Sequence, residues 1–285
     1  MNKLFNKTAA MAVTAVVMVL ASVGMAWATG QPEPWQMGLQ APATDIKERI
    51  ESFHDLLMWI ITLITIFVTL LLVYVIVRFN RKANPEPSKT THNTLLEIIW
   101  TGVPILILVL IAVPSFKLLY FQSEVGDADI TIKATGHQWY WSYEYPDEGD
   151  FSYDALMVEE EDLQPGQPRL LATDMDVVVP VGKRIRMLVT ASDVIHAWTI
   201  PAFGVKVDAV PGRINELWFE VKEPGTYYGQ CSELCGVRHA FMPITVRAVS
   251  EEEYAAWLEK TKELYAMDGA APAITVAAAQ PQTVE

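Results

Sequence analysis

Cys231-Ser-Glu-Leu-Cys235-Gly-Val-Arg-His239-Ala-Phe-Met242 holds both cysteines of the 285-residue chain, with a histidine and a methionine beside them. A second histidine, His196, stands 35 residues upstream in Val194-Ile-His-Ala-Trp198. Two thiolates, two imidazoles and a thioether form a soft donor set suited to copper. A mononuclear electron-transfer copper site uses one thiolate, two imidazoles and a weak axial thioether. The second sulfur is what a pair of copper ions needs if sulfur is to bridge them. The window therefore reads as a dinuclear electron-transfer centre. Such a centre is best held on a rigid β scaffold, because a site that barely moves between redox states has little to reorganise.

Other readings of the same residues stay open at this level. A Cys-x3-Cys disulfide would close a very small loop and add little stability, and it would leave His196, His239 and Met242 without a purpose. A lone histidine at a strand end is as readily a hydrogen-bonded structural residue as a ligand, and an isolated methionine is more often core. Of the five histidines, His54 abuts an apolar run and His92 lies in a basic loop, leaving His137, His196 and His239 in the β-rich part of the chain expected to be exported.

The surrounding sequence supplies a β scaffold. Period-two and β-rich runs at 129–134, 137–145, 176–179, 184–190, 197–200, 216–221, 225–230 and 243–249 are separated by Pro180-Val-Gly182, Pro211-Gly212 and Glu223-Pro-Gly225. Many short strands broken by Gly and Pro predict an antiparallel sandwich or barrel. On the 137–145 run, alternation would place Trp139, Trp141, Tyr143 and Tyr145 on one face and Tyr140 on the other. Most of these are expected in the core, while an exposed tryptophan beside the copper loop would suit docking and electron entry.

Upstream the chain changes character. Leu56 to Val77 is 22 residues without a charged side chain, and Ile98 to Phe116 is another 19. Each is long enough to cross a bilayer as a helix, which takes about 20 apolar residues. The segment between them carries Arg78, Arg81, Lys82 and Lys89 against Glu86 and Glu97, so the positive-inside rule makes it cytoplasmic. Both outer flanks then lie on the far side. Lys3 and Lys7, an apolar run from Thr8 to Gly24 and Ala26-Trp-Ala28 form a secretory signal pattern, with a third membrane helix as the alternative. From Lys117 onward 27 acidic residues face 13 basic ones, which accounts for the net charge of −13. That field repels nucleic acid, excluding it as a partner, and steers cationic proteins.

The expected organisation is a signal peptide (1–28), an N-terminal arm (29–55), a transmembrane hairpin (56–122, spans 56–77 and 98–116) and a β domain (123–250). A short helix follows over 251–266, opened by the N-cap Ser250 and an acidic first turn, then an Ala/Pro/Gln-rich disordered tail over 267–285.

Together, Cys231-Ser-Glu-Leu-Cys235-Gly-x-x-His239-x-x-Met242, Val194-Ile-His-Ala-Trp-Thr-Ile-Pro201, Asp208-Ala-Val-Pro-Gly-Arg213 and Gly136-His-Gln-Trp-Tyr-Trp-Ser-Tyr-Glu-Tyr-Pro146 resemble the CuA-containing cytochrome c oxidase subunit II of bacterial aa3-type oxidases. The resemblance runs from about Asp55 to Trp257. It implies a two-helix transmembrane hairpin followed by an all-β, cupredoxin-like domain. It further implies that Cys231 and Cys235 bridge two coppers, one completed by His196 and Met242, the other by His239 and the backbone carbonyl of Glu233. The Glu233 carboxylate would face a Mg²⁺ or Mn²⁺ ion shared with subunit I. Trp139 would be the electron-entry residue and Asp193 a docking residue for a basic cytochrome c, with Glu148 and Asp150 added by their position after the aromatic run. Glu97 would stand at the mouth of a proton path into subunit I; its plainer reading is an interfacial anchor.

The implied partners are membrane lipid, subunit I with haem a, haem a3 and CuB, subunit III and cytochrome c. The implied place is a bacterial inner membrane, with the N-terminus and the C-terminal domain periplasmic. A copper-delivery or copper-sensing protein is the competing class; it would hold one exchangeable ion. The CuA domain of nitrous-oxide reductase would need no helical anchor. A quinol-oxidising relative would be expected to lack the thiolate pair. No Cys-x-x-Cys-His occurs, so no c-type haem is fused to the chain.

Overall fold

The computed structural model of the chain describes residues 30–265. The signal-peptide and tail expectations, at 1–28 and 267–285, lie outside the described residues. Helix α1 spans Asp45–Arg78 and α2 spans Thr94–Ser123, 34 and 30 residues respectively. At 1.5 Å per residue these run about 45–50 Å, longer than the roughly 30 Å apolar core of a bilayer. Their apolar stretches are exposed all round, and no residue of α2 is buried. A helix hydrophobic on every face belongs in lipid or against other membrane helices. This is a membrane protein.

The helices begin and end on the β domain. Thr44 caps α1 by accepting from Lys47 N, and its hydroxyl donates to Phe203 O at 2.7 Å. Ala43 N donates to Ala202 O, while Lys222 reaches Asp45 (2.6 Å) and Glu48 (2.7 Å) in the first helical turn. Acidic groups at this end also complement the helix dipole. At the end of α2, Phe121 meets Trp218 edge-on at 5.3 Å, with Arg49 stacked 3.7 Å over the Phe121 ring. The hairpin and the β domain are thereby keyed together at several points.

The β domain holds ten strands. A five-stranded sheet runs β3 (Phe151–Ala155), β2 (Tyr140–Tyr145), β1 (Ile130–His137), β5 (Arg184–Ala191), β8 (Asn215–Glu220). A three-stranded sheet runs β4 (Val177–Pro180), β10 (Pro243–Val249), β9 (Gly225–Gln230), and β6 (His196–Ile200) pairs with β7 (Val205–Ala209). In β1 and β5 every second residue is buried, as period-two alternation requires of strands with one face in a core. Trp141, Tyr143, Tyr145, Trp198 and Phe219 fill the space between the sheets. Helix α3 (Glu251–Tyr265) covers β3 and β4, with Trp257 against Tyr145 and Phe151. Ser250 opens it as a reciprocal cap: its hydroxyl accepts from Glu253 N while the Glu253 carboxylate accepts from Ser250 N.

Three expectations need correcting. The sheets are not purely antiparallel, since β1 pairs with β5 and β4 with β10 in parallel. Strands β3 and β7 were not anticipated. The 137–145 run is not one strand: β1 continues to His137, which pairs with Tyr140, so Gln138 and Trp139 form the turn between β1 and β2. Trp139 therefore leaves the face on which Trp141, Tyr143 and Tyr145 are buried.

Candidate metal centre

Strand β9 ends at Gln230 and delivers Cys231 to the tip of the domain. The loop from there to β10 is pinned by Cys231 N donating to Met242 O (3.1 Å) and Ser232 N donating to Ala197 O (3.0 Å). The second bond ties the loop to β6, which begins at His196. Two elements far apart in sequence thus present their donors to one place. The ligand atoms of His196, Cys231 and Cys235 all lie within 4.8 Å of one another, and all three residues are buried.

Around the sulfurs the geometry is specific. The two Sγ atoms are 3.9 Å apart and both cysteines are free, which removes the disulfide reading, whose bond is about 2.05 Å. Cys231 Sγ lies 3.8 Å from His196 Nδ1 and 3.3 Å from Glu233 O. Cys235 Sγ lies 3.6 Å from His239 Nδ1 and 3.5 Å from Met242 Sδ. All six donors expected from the sequence are brought together, with Met242 only 1% exposed. The set is soft, convergent and free of a competing covalent bond, so the residues fit copper.

Electrostatics separate the two thiols. Burial alone would raise Cys231, but hydrogen bonds from His196, the Glu233 and Ala197 backbone and His239 outweigh it and hold the thiol below its ordinary value. Burial and the neighbouring Cys231 sulfur push Cys235 up. Two adjacent buried thiolates repel each other, and a bound cation is what removes that conflict.

A second ring of contacts aims the ligands. The Asp193 carboxylate accepts from His196 Nε2 (2.9 Å), Gln138 N (2.7 Å) and Val194 N (2.6 Å). A carboxylate can only accept, so Nε2 carries the proton and Nδ1 is left free toward Cys231. Burial would raise the Asp193 carboxyl, but these three donors, His196 first, hold it below the usual range. At Gly136 a Cβ would stand 2.8 Å from His196 Cδ2, so a glycine makes room for the imidazole.

Trp139 packs half-buried over Gly236 on the loop from Cys231 to Met242. The Glu233 side chain is exposed, and Leu234 and Val237 beside it are 77% and 87% exposed. Glu97 lies in the first turn of α2, whose N-cap is Asn93. Glu148 and Asp150 are not brought to the cluster. They follow the far end of the six-residue β2, about 20 Å from the Trp139 turn at 3.3 Å per residue, and Glu148 faces Lys262 of α3 at 3.8 Å. Sequence reasoning missed Gln138 and Gly236, both inside quoted motifs but with no chemistry of their own to mark them.

Residues 130–249 match the family model for the periplasmic domain of cytochrome c oxidase subunit II, and residues 32–118 match that for its transmembrane domain. The probable cytochrome c oxidase subunit 2 of Rickettsia bellii is 51% identical over 236 residues, covering 83% of this chain and 88% of the relative. Cytochrome c oxidase subunit 2 of Cereibacter sphaeroides is 49% identical over 251 residues, with 82% of each chain covered. The crystal structure of the periplasmic domain of subunit II from Bradyrhizobium japonicum is 58% identical, covers 50% of this chain and 99% of that one, and has a TM-score of 0.47. Matched through both membrane helices and the domain that carries the donor cluster, the chain belongs to the cytochrome c oxidase subunit II family.

Proposed function

We propose that the chain is the electron-entry subunit of a haem–copper terminal oxidase. It takes electrons from a cytochrome c at a dinuclear copper centre and passes them to the haems of subunit I, where O₂ is reduced to water with proton pumping. When bound, the copper pair supplies a centre that takes up one electron and shares it over both ions.

One observation carries the dinuclear reading. Cys231 lies beside His196 and Glu233 O, and Cys235 lies beside His239 and Met242. In the family's scheme His196 and Met242 serve one copper, His239 and Glu233 O the other. Each sulfur thus adjoins one donor of each set, which is the arrangement a bridging thiolate needs. A single ion would leave half of these donors idle.

The chain's own residues do the rest. Asp193 holds the His196 proton on the outer nitrogen, and the β6–β9 framework keeps the donors from shifting. Trp139, on the same tip, is the entry point for electrons arriving from outside. The acidic surface steers a basic cytochrome c, with Asp193, 33% exposed, both orienting His196 and available at the docking edge. The exposed Glu233 side chain would supply its carboxylate to a Mg²⁺ or Mn²⁺ ion shared with subunit I. Glu97 serves the proton path of that subunit. Subunit III completes the assembly in a bacterial inner membrane, with the β domain periplasmic.

The test is copper content and low-temperature EPR of the purified oxidase. Two tightly held ions per chain and a delocalised mixed-valence signal are expected, both lost in His196→Ala and Cys235→Ala. One labile ion per chain would turn the reading to a copper carrier. Trp139→Ala should keep the signal and slow cytochrome c oxidation; a normal rate would remove its assigned role.

A further inference from the structure

We propose that Gln138 is the positioning residue that fixes Trp139 against the copper loop. The inference rests on Trp139 being the electron-entry residue.

The Trp139 indole Nε1 is buried without a hydrogen-bond partner among the described residues. The ring is therefore held by what it packs on and by the turn that carries it. It packs on Gly236, the residue after Cys235. A Cβ at Gly236 would stand 3.1 Å from Trp139 Cζ2, 3.3 Å from its Nε1 and 3.1 Å from Gln138 Nε2. With φ at +123° this position also favours glycine on backbone grounds. The absence of a side chain there is what lets the indole and the Gln138 amide reach the loop together.

The turn is locked by Gln138 alone of its two residues. Its backbone N–H donates to Asp193 Oδ2 at 2.7 Å, and its side-chain Nε2 donates to Cys235 O at 2.6 Å. Asp193 in turn accepts from His196 Nε2 through Oδ1. One residue thus ties the tryptophan turn to the carbonyl of one copper thiolate and, through a shared carboxylate, to the imidazole of another ligand. Neither bond touches a donor atom of the metal, so the side-chain half of the clamp, Nε2 to Cys235 O, can be removed with the ligand set intact, while the backbone half stays in every Gln138 variant. Chemistry also limits what can replace it. A glutamate would oppose a second acceptor to Cys235 O, and an asparagine is one methylene short.

The experiment uses the assembled oxidase carrying Gln138→Ala, Gln138→Glu or Trp139→Ala. It measures copper per chain, the EPR signal, and cytochrome c oxidation resolved into kcat and KM. Both Gln138 variants are expected to keep two coppers and the unchanged signal, with KM within about twofold and kcat lowered roughly 10- to 100-fold, as for sub-ångström to ångström displacement of a reacting group. A normal kcat in Gln138→Ala, or a change confined to KM, overturns the proposal; the latter would make Gln138 a docking residue. Loss of copper in both variants overturns it too, by making Gln138 a residue of site assembly. If Trp139→Ala itself turns over normally, the entry reading has failed; if Trp139→Ala is slow and Gln138→Ala is not, only the clamp has.

Discussion

Asp193 accepts a hydrogen bond from His196 Nε2 at 2.9 Å, and the opposite ring nitrogen, Nδ1, faces the Cys231 sulfur at 3.8 Å. The carboxylate sets the tautomer and the plane of the ring, which is the usual task of a partner behind a metal-bound histidine. Asp193→Ala is expected to weaken copper retention roughly 10- to 100-fold against a competing chelator. Asp193→Asn, which keeps an acceptor and loses the charge, should fall between. If copper retention is unaltered and only the bimolecular step with cytochrome c slows, Asp193 acts in docking and not on the ligand.

At Gly229 β9 passes close against β6: a Cβ there would meet the carbonyl oxygen of Thr199 directly. Backbone cannot swing aside as a side chain can, so Gly229→Ala must separate the two strands. The expected cost is about 3 kcal/mol, the upper end for overpacking a core. Because Cys231 follows β9 by one residue and Ser232 N is bonded to Ala197 O of β6, the same shift would displace a ligand. A lower urea midpoint together with loss of the copper signal checks this; a variant as stable as the parent would show that the strands have slack.

Local patterns in the sequence revealed the loop and the membrane hairpin for different physical reasons. Five of the six candidate donors share one loop, so their spacing alone brings them close, and a charge-free run of bilayer length has few other uses. His196 needed the fold, since only the β6–β9 contact brings it to Cys231 across 35 residues. The Trp139 turn was illegible because His137 to Tyr145 contains no Gly or Pro, and strand periodicity reads straight through it. What makes it a turn is long-range, in the Gln138 bonds to residues 55 and 97 positions away. Strands β3 and β7 do alternate, as Phe151-Ser-Tyr-Asp-Ala and Val205-Lys-Val-Asp-Ala, but each sets an aspartate, a residue depleted from strands, inside the run. The parallel pairing of β1 with β5 leaves no local trace at all.

Glu97 carries two readings that one substitution separates. In the first turn of α2 a carboxylate favours the helix N-terminus, a surface effect of about 0.3–1 kcal/mol. In a proton path it would be needed for every turnover. Glu97→Gln preserves shape and removes the charge. The expected result is slower steady-state O₂ consumption with normal reduction of the copper centre by cytochrome c, followed in a stopped-flow spectrometer. A variant with full turnover leaves Glu97 as an anchor.

His137 gives the β domain a dependence on pH. Its ring is stacked on Tyr140 at 4.5 Å, with Ser142 Oγ 2.9 Å from Nε2 and Ser192 Oγ 2.7 Å from Nδ1. Burial lowers its pKa below the ordinary 6.5; Asp154 and Asp193 oppose that shift, and His196 adds to it. The unfolded chain then binds the proton more readily than the folded one. The stability that comes from keeping this ring neutral is fully present above about pH 6.5, shrinks as pH falls below it, and is lost once pH drops through the folded value. Other groups titrate in the same range, so the informative quantity is the difference between the parent and His137→Gln. Urea midpoints of the two chains from pH 7.5 to pH 5 should converge as the solution is acidified, because only the parent has this term to lose. A gap that stays constant, or widens toward acid, would mean that His137 is not held neutral by its surroundings.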